Sequence, residues 1–247
     1  MSCRRATRLS IVLLIVGSVG CATVGPDAPP YEVLSSQPAT GSLTAHTVRP
    51  LVPMEWTYER PKRDAEAEIV PYRREPTQRF GADWVTHQGD ERSEFWRMDD
   101  EGNVVLTAVI SHVDRAISLF QPPLIVAYRE LSPGESKEHE VAMRVVDARN
   151  PSQQREFGKA KQTVEYVGNF LIRTPMGEMP VQRVDMSFDA DLQFADASTT
   201  SVIYLADGLG PVVEERLLTI KVLGLSVRRR YETLLLMPKR SEESVAH

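Results

Sequence analysis

Cysteine is scarce in this chain, and both copies lie close to the amino terminus. Among the 247 residues only Cys3 and Cys21 are cysteines. A domain that begins after them has no disulfide bond and no thiolate nucleophile, so its stability must come from a hydrophobic core. Apolar residues make up 42% of the chain, which is enough to build one.

Local signatures of catalysis and of metal binding are missing as well. No His-x-His, His-Glu-x-x-His or Cys/His cluster predicts a zinc site, and no Gly-x-Ser-x-Gly elbow occurs. Ser111, His112 and Asp114 are neighbours in the sequence, whereas the members of a triad converge from separate places in a fold. We therefore predict no enzyme, no cofactor and no metal. An enzyme would need histidine and carboxylate groups to meet in a cleft, for example around His112 or His139.

Positive charge is too sparse to indicate nucleic acid binding. The chain has 29 basic and 34 acidic residues; without the three arginines of the first 20 residues, 26 basic residues remain and the net charge is −8. A phosphate-binding surface needs clustered Lys and Arg. The one basic run, Arg228-Arg229-Arg230, predicts a strand with an exposed arginine face.

Residues 1–20 have the pattern of a signal peptide. Arg4, Arg5 and Arg8 precede the apolar run Leu9–Val16, and small residues follow up to Gly20. A basic start, a short apolar run and a small-residue cleavage site are typical of secretory signals. The run is far shorter than the roughly 20 residues of a transmembrane helix.

The end of this signal, Ser18-Val19-Gly20-Cys21, resembles the lipobox of bacterial lipoproteins. The resemblance implies cleavage before Cys21 and lipidation of its thiol and new amino terminus with palmitate-type chains, which together make a durable anchor. It places the protein in the cell envelope. Ala22, where Asp often causes inner-membrane retention, implies the outer membrane facing the periplasm if the host is Gram-negative.

Composition divides the mature chain into three parts. Residues 21–64 contain seven prolines and predict an extended, largely disordered tether, in which Met54, Trp56 and Tyr58 at period two are expected to dock on the domain edge. Residues 65–238 form the domain, and residues 239–247 are a polar tail.

The domain is predicted to be mainly β, an antiparallel meander that forms a twisted half-barrel or a sandwich. The clearest strand alternates apolar and polar residues from Val184 to Phe194. Its aspartates indicate a solvated face rather than a metal site. Residues 99–103, Asp-Asp-Glu-Gly-Asn, predict a hairpin turn rather than a calcium loop, since the 12-residue EF-hand spacing is absent.

Two interpretations stay open between residues 104 and 126. Val104–Phe120 fits a helix by length and a strand by its Val and Ile content, and Pro122-Pro123 is expected to end it. The apolar residues around the two prolines form either a core connection or a lid over an apolar groove.

Two segments resemble uncharacterised exported bacterial β families. They are Thr174–Val181 (TPMGEMPV, with Val184) and Tyr204–Glu214 (YLADGLGPVVE); Asp207 and Pro211 depart from the family pattern. Those families are similar in shape to the LolA/LolB lipoprotein carriers. The resemblance implies a half-open antiparallel barrel whose concave apolar face holds acyl chains.

These observations lead to two hypotheses about function. The first is a lipid-anchored envelope lipoprotein that acts as a non-catalytic binding module for a lipid or apolar ligand, which requires an apolar cavity on the order of a few hundred Å3. The alternative is a structural or protein-interaction module of the envelope, which requires an exposed apolar patch and an envelope protein as partner.

Overall fold

The structure, a computed structural model, describes residues 29–38, 41–62 and 65–238, and these residues are nearly all β. The predicted antiparallel, mainly β fold is confirmed. Helical residues are confined, in these ranges, to α1 (Ala45–Val48) and a 3-10 turn (Arg79–Gly81). The strands are β1 (Glu32–Gln37), β2 (Leu43–Thr44), β3 (Met54–Lys62), β4 (Ala65–Pro76), β5 (Trp84–Gln88), β6 (Arg92–Met98), β7 (Val104–Ser111), β8 (Ala116–Ala127), β9 (Glu130–Leu131), β10 (Ser136–Asp147), β11 (Gln154–Thr174), β12 (Gly177–Leu192), β13 (Ala195–Ala206), β14 (Gly210–Val222) and β15 (Leu225–Leu236).

Twelve of these strands form a closed ring in chain order. Strands β3 to β8 and β10 to β15 each pair antiparallel with their neighbours, and β15 meets β3. Strand β1 lies beside the last part of β11, beyond the end of β10, and β2 pairs with β9 in a separate small sheet. The sheet therefore closes, where the sequence predicted a half-barrel or sandwich.

The closure between β3 and β15 is short. It consists of the register pairs Leu235↔Glu59 and Leu236↔Tyr58, with a hydrogen bond from Met237 N–H to the Thr57 carbonyl of 2.9 Å. The ladder between β14 and β15, in contrast, extends as far as Val222↔Leu225. Within the described residues, β15 thus has a strand neighbour on only one side from Leu225 to Leu234. We call this unpaired stretch between β15 and β3 the seam.

The interior of the ring is filled by side chains and by a segment of the chain itself. Strand alternation directs Val164, Val184 and other apolar residues inward, where they form the main hydrophobic cluster. Leu43, Ala45 and Val48 of the segment 43–48 are buried in the same cluster. The Thr44 hydroxyl caps α1 by accepting from Thr47 N–H at 3.2 Å. This segment, the plug, occupies space that a half-open carrier would leave for a ligand.

The expected tether differs from the structure in residues 29–38 and 41–62. These residues form β1, β2, α1 and β3, and β3 is a full member of the ring. Trp56, Tyr58 and Arg60 alternate toward the interior, which favours a strand. The prolines do not prevent it, because they lie outside β3 or, like Pro61, near its end. The predicted signal peptide and polar tail lie outside the described residues.

Most of the expected strands and turns are present. Strand β12 carries the predicted alternation from Val184 to Leu192, while Phe194, which was expected to continue it, is exposed in the turn that follows. The turn between β6 and β7 is built on Asp99, whose carboxylate accepts from the N–H groups of Glu101 and Asn103. The open segment 104–120 is two strands, β7 and β8. Strand β8 continues through Pro122-Pro123, which was expected to end it, because the ladder with β7 skips residues there. No helix within the described ranges has the length and apolar content to cross a membrane.

Candidate functional site

Cys21, the one residue that the sequence assigns to a functional site, lies outside the described residues. Its lipidation remains a prediction. The features described below belong to the folded domain. The sequence named only one of them in connection with a functional site, the surroundings of His112.

The tip of the β14–β15 hairpin projects from the ring. Every residue from Lys221 to Arg229 is exposed, although strand alternation places their side chains on both faces of the hairpin. In a closed, filled ring one of these faces would be buried. We call residues 221–229 the finger.

The turn of the finger contains an unfavourable residue. Leu223 and Gly224 connect Val222 to Leu225, with φ angles of 51° and 79°. Such a loop usually takes Asn or Asp before Gly, because a large side chain tolerates positive φ poorly. A leucine at this position contradicts the local preference of the backbone, and such conflicts concentrate at functional sites.

The finger is also apolar where it is most exposed. Leu223, Leu225 and Val227 are 79%, 72% and 61% exposed. The exposed Phe194, in the adjacent turn, lies next to them, and its carbonyl accepts from Leu223 N–H at 3.2 Å. Single exposed apolar residues are ordinary, but a group at one projecting tip indicates a contact surface.

Basic residues flank this apolar tip along its own hairpin, although Asp196 of β13 lies opposite Lys221. Lys221, Arg228 and Arg229 are exposed, and no acidic residue occurs between Thr219 and Tyr231. Arg228 approaches Asp114 at 3.6 Å, while Arg229 forms no ion pair within the described residues. The exposed arginine face that the sequence predicts is therefore present.

Behind the finger, a cluster of ion pairs crosses the seam. On β3, Arg60 places Nε 3.3 Å from Glu232 Oε2 of β15, and its two terminal nitrogens each donate to Glu91 at 3.2 Å. Arg230 of β15 lies 3.1 Å from Glu232 and 3.8 Å from Glu91. Arg216 joins Glu232 at 3.4 Å. Side chains thus connect β3 and β15 where the main-chain ladder is absent.

Burial and neighbouring charges shift the pKa values of this cluster in opposite directions. Burial alone would lower the pKa of Arg60 and Arg216, but the neighbouring carboxylates outweigh it and raise both pKa values. Burial would likewise raise the pKa of Glu214 and Glu91, yet the arginines around them keep both pKa values below the ordinary range. The cluster is therefore charged on both sides at neutral pH.

Three depressions on the outer surface are lined mainly by polar and charged residues. Their volumes are about 520, 460 and 390 Å3. The smallest is lined by charged side chains such as Lys159, Lys161 and Asp189. That face includes the aspartates of β12, which the sequence interprets as solvated. None of these three is the apolar cup that a lipid carrier needs.

Histidine and carboxylate groups do meet around His112, in the depression of about 520 Å3. The Ser93 hydroxyl lies 2.9 Å from His112 Nε2 and 3.0 Å from His87 Nδ1, and His87 Nε2 lies 3.3 Å from Glu75 Oε1. These bonds are all satisfied when His87 donates to Glu75 and accepts from Ser93, and His112 donates to Ser93. The sequence pointed to His112 as one place where such groups could meet, but it did not identify the partners, because the members come from four separate segments.

The order Glu75–His87–Ser93 resembles that of a catalytic triad. Unlike the serine of a triad, however, Ser93 is not accessible to a substrate. Ser93 is only 2% exposed and does not line the depression, so a substrate cannot reach its oxygen. Among the described residues, no group of three His, Cys, Asp or Glu side chains has the geometry to hold a metal. His139 lies on a different strand, β10, and burial lowers its pKa. The set around Ser93 cross-links β4, β5, β6 and the end of β7.

Replacing Arg60 with Met should destabilise the fold by about 2 to 3 kcal/mol, because Glu232 stays buried without its partner across the seam. The figure is below the range for fully buried pairs, since Glu68 and Glu91 are more than a third exposed and water screens them. Urea unfolding measures the change. As a control, Arg173→Met removes ion pairs between exposed side chains and should cost much less. Equal losses in the two variants would contradict a structural role for the seam cluster.

Acid should weaken the same cluster. The pKa values of Glu68, Glu91 and Glu214 are lowered in the folded state. Their contribution to stability is thus complete above the unfolded carboxyl pKa of about 4.3 and is lost as the pH falls through their lowered values. Urea unfolding at a series of pH values should show this fall. Glu214→Gln should be less stable at neutral pH and should show a shallower acid loss, and an unchanged slope would contradict this assignment.

A fluorophosphonate probe, which labels activated serine hydroxyls, should not react with Ser93 in the native protein. The Ser93 hydroxyl is buried, so the probe cannot reach it even though two histidines contact it. Intact-protein mass spectrometry gives the result, and Ser93→Ala provides the background level. Labelling that disappears in Ser93→Ala would reveal an accessible nucleophile and overturn the non-catalytic interpretation.

Comparison with known proteins gives no relative from which a role could be transferred. No family model matches the chain. No curated protein and no solved structure matches it either.

Proposed function

We propose that this chain is a lipid-anchored protein of the cell envelope that acts as a non-catalytic interaction module. The observation that carries the proposal is the finger, an apolar tip with basic neighbours that projects from a closed sheet. The lipobox-like sequence before Cys21 supports the anchor, with palmitate-type chains in the outer membrane facing the periplasm if the host is Gram-negative.

The packing of the ring favours interaction over lipid transport. The plug occupies the apolar interior, and the three surface depressions carry many polar and charged side chains. A bound acyl chain would have to displace Leu43 and Val48 from the core. An exposed tip needs no such rearrangement to make contact.

The position of the anchor also supports a partner away from the membrane. Glu32, the first residue of β1, pairs with Arg173 beside the β11–β12 turn, whereas the finger contacts the turn at the other end of β12. Cys21 precedes Glu32 by 11 residues, a reach of at most about 40 Å. The 16 residues of β12 extend roughly 50 Å along the strand. The anchor thus holds the end opposite the finger near the membrane.

Changing Cys21 to Ser should remove the lipid and release the protein from the membrane. Metabolic labelling with an alkynyl palmitate analogue, followed by membrane fractionation in a bacterial host, measures both effects. The expected result is a labelled, membrane-bound wild type and an unlabelled Cys21→Ser variant in the soluble envelope fraction. Cys3→Ser is the matched control and should behave as the wild type. A Cys21→Ser variant that stays labelled and membrane-bound would contradict the anchor.

A further inference from the structure

We infer that the free edge of β15 in the finger binds an extended acidic segment of a partner protein by adding it as a strand. The inference rests on the proposed interaction function and specifies its partner. It concerns the edge that faces away from β14, along the exposed residues Leu225–Arg229.

The first argument is the unpaired main chain. Along Leu225–Thr233, β15 pairs with β14 only, and the short ladder to β3 involves Leu235 and Leu236 alone. The N–H and C=O groups on the other edge therefore have no ladder partner among the described residues. The exposed part of this stretch, Leu225–Arg229, is five residues long, the length of an ordinary strand, so it can accept a short additional strand.

The second argument is charge. Arg228, Arg229 and Arg230 follow one another on this edge. Arg228 and Arg230 already approach acidic side chains of the domain, whereas Arg229 forms no ion pair within the described residues. Opposite charges directly across a strand pair stabilise it and like charges destabilise it. An acidic strand is thus favoured. Antiparallel pairing with a second copy of β15 would place arginines near arginines, so this edge selects against self-association.

The third argument is the apolar character of the same edge. Arginines alone would be explained as protection of an exposed edge against unwanted pairing. Protection against unwanted pairing does not explain Leu225 and Val227, because exposed apolar side chains on an edge promote association. The β14–β15 ladder has a bulge at Val227, since Ser226 pairs with Lys221 and Arg228 pairs with Ile220. Leu225 therefore shares a face with Arg228, and Arg229 shares one with Ser226. Along the chain the apolar residues Leu225 and Val227 precede the arginines. An antiparallel partner would therefore present acidic residues first and apolar residues after them.

The test uses the purified full chain and a defined peptide. The probe is a fluorescent peptide in which a run of glutamates precedes alternating valine and threonine, and fluorescence anisotropy measures its binding. The same peptide with alternate amides N-methylated along one edge keeps its charge but loses its hydrogen bonds along that edge. A version with lysine in place of glutamate reverses the charge.

The glutamate peptide should bind, and both altered peptides should bind at least about tenfold more weakly. Arg229→Glu should weaken binding of the glutamate peptide by a similar factor. Arg149→Glu makes the same charge change at an exposed turn of the same end and should leave binding unchanged. Circular dichroism verifies that both variants fold.

Several results would overturn the inference. Equal binding of the N-methylated peptide would exclude strand addition, and equal binding to Arg229→Glu would exclude charge recognition. Binding of anionic lipid vesicles without binding of the peptide would assign the finger to a membrane, and sedimentation as a dimer through the finger would assign it to a second copy. The Cys21 experiment is independent of these outcomes: anchoring without peptide binding refutes the edge alone, and peptide binding without anchoring refutes the anchor alone.

Discussion

The contact between the first and last strands of the ring is the constraint on which the rest of the structure depends. A meander of twelve strands has two edges, and they must meet for the sheet to close. Here they meet through Leu235 and Leu236 at one end, and through Arg60, Glu91 and Glu232 toward the other. Because side chains rather than main-chain bonds join the second part, β15 keeps an open edge, and the hairpin that carries it projects as the finger.

The two ends of the ring differ in structure. At the end that carries β1, the plug fills the apolar interior and Arg74 donates to the Pro50 carbonyl beside it. Burial lowers the pKa of Arg74 to about 10, so this arginine remains charged at neutral pH. At the other end the seam opens and the finger is exposed. A chain that is anchored through Cys21 near the plug would thus present the finger away from its membrane.

Local patterns in the sequence predicted much of the fold and little of the candidate site. The alternation from Val184 to Leu192 and the turn at Asp99 depend on neighbouring residues, so both could be predicted. Whether the sheet closes depends on whether Tyr58 meets Leu236, a contact between opposite ends of the chain that no local pattern encodes. Because residues 21–64 contain many prolines, they were predicted to be a disordered tether, and β3 was not predicted as a strand. The basic run at Arg228–Arg230 was recognised as an exposed strand. Its edge is free because no other strand pairs with it there, and the run itself does not encode that.

The measurement that tests this account most directly is hydrogen exchange of the backbone amides of β15 in the native protein, read by NMR. The account predicts that, over Leu225–Arg229, amides bonded to β14 are protected and amides on the other edge exchange rapidly. It also predicts that amides on the β3 side are protected at the closing ladder, where Met237 N–H is bonded to Thr57. Uniform protection along the whole strand would mean that the ring is closed over its full length, and it would contradict both the seam and the free edge.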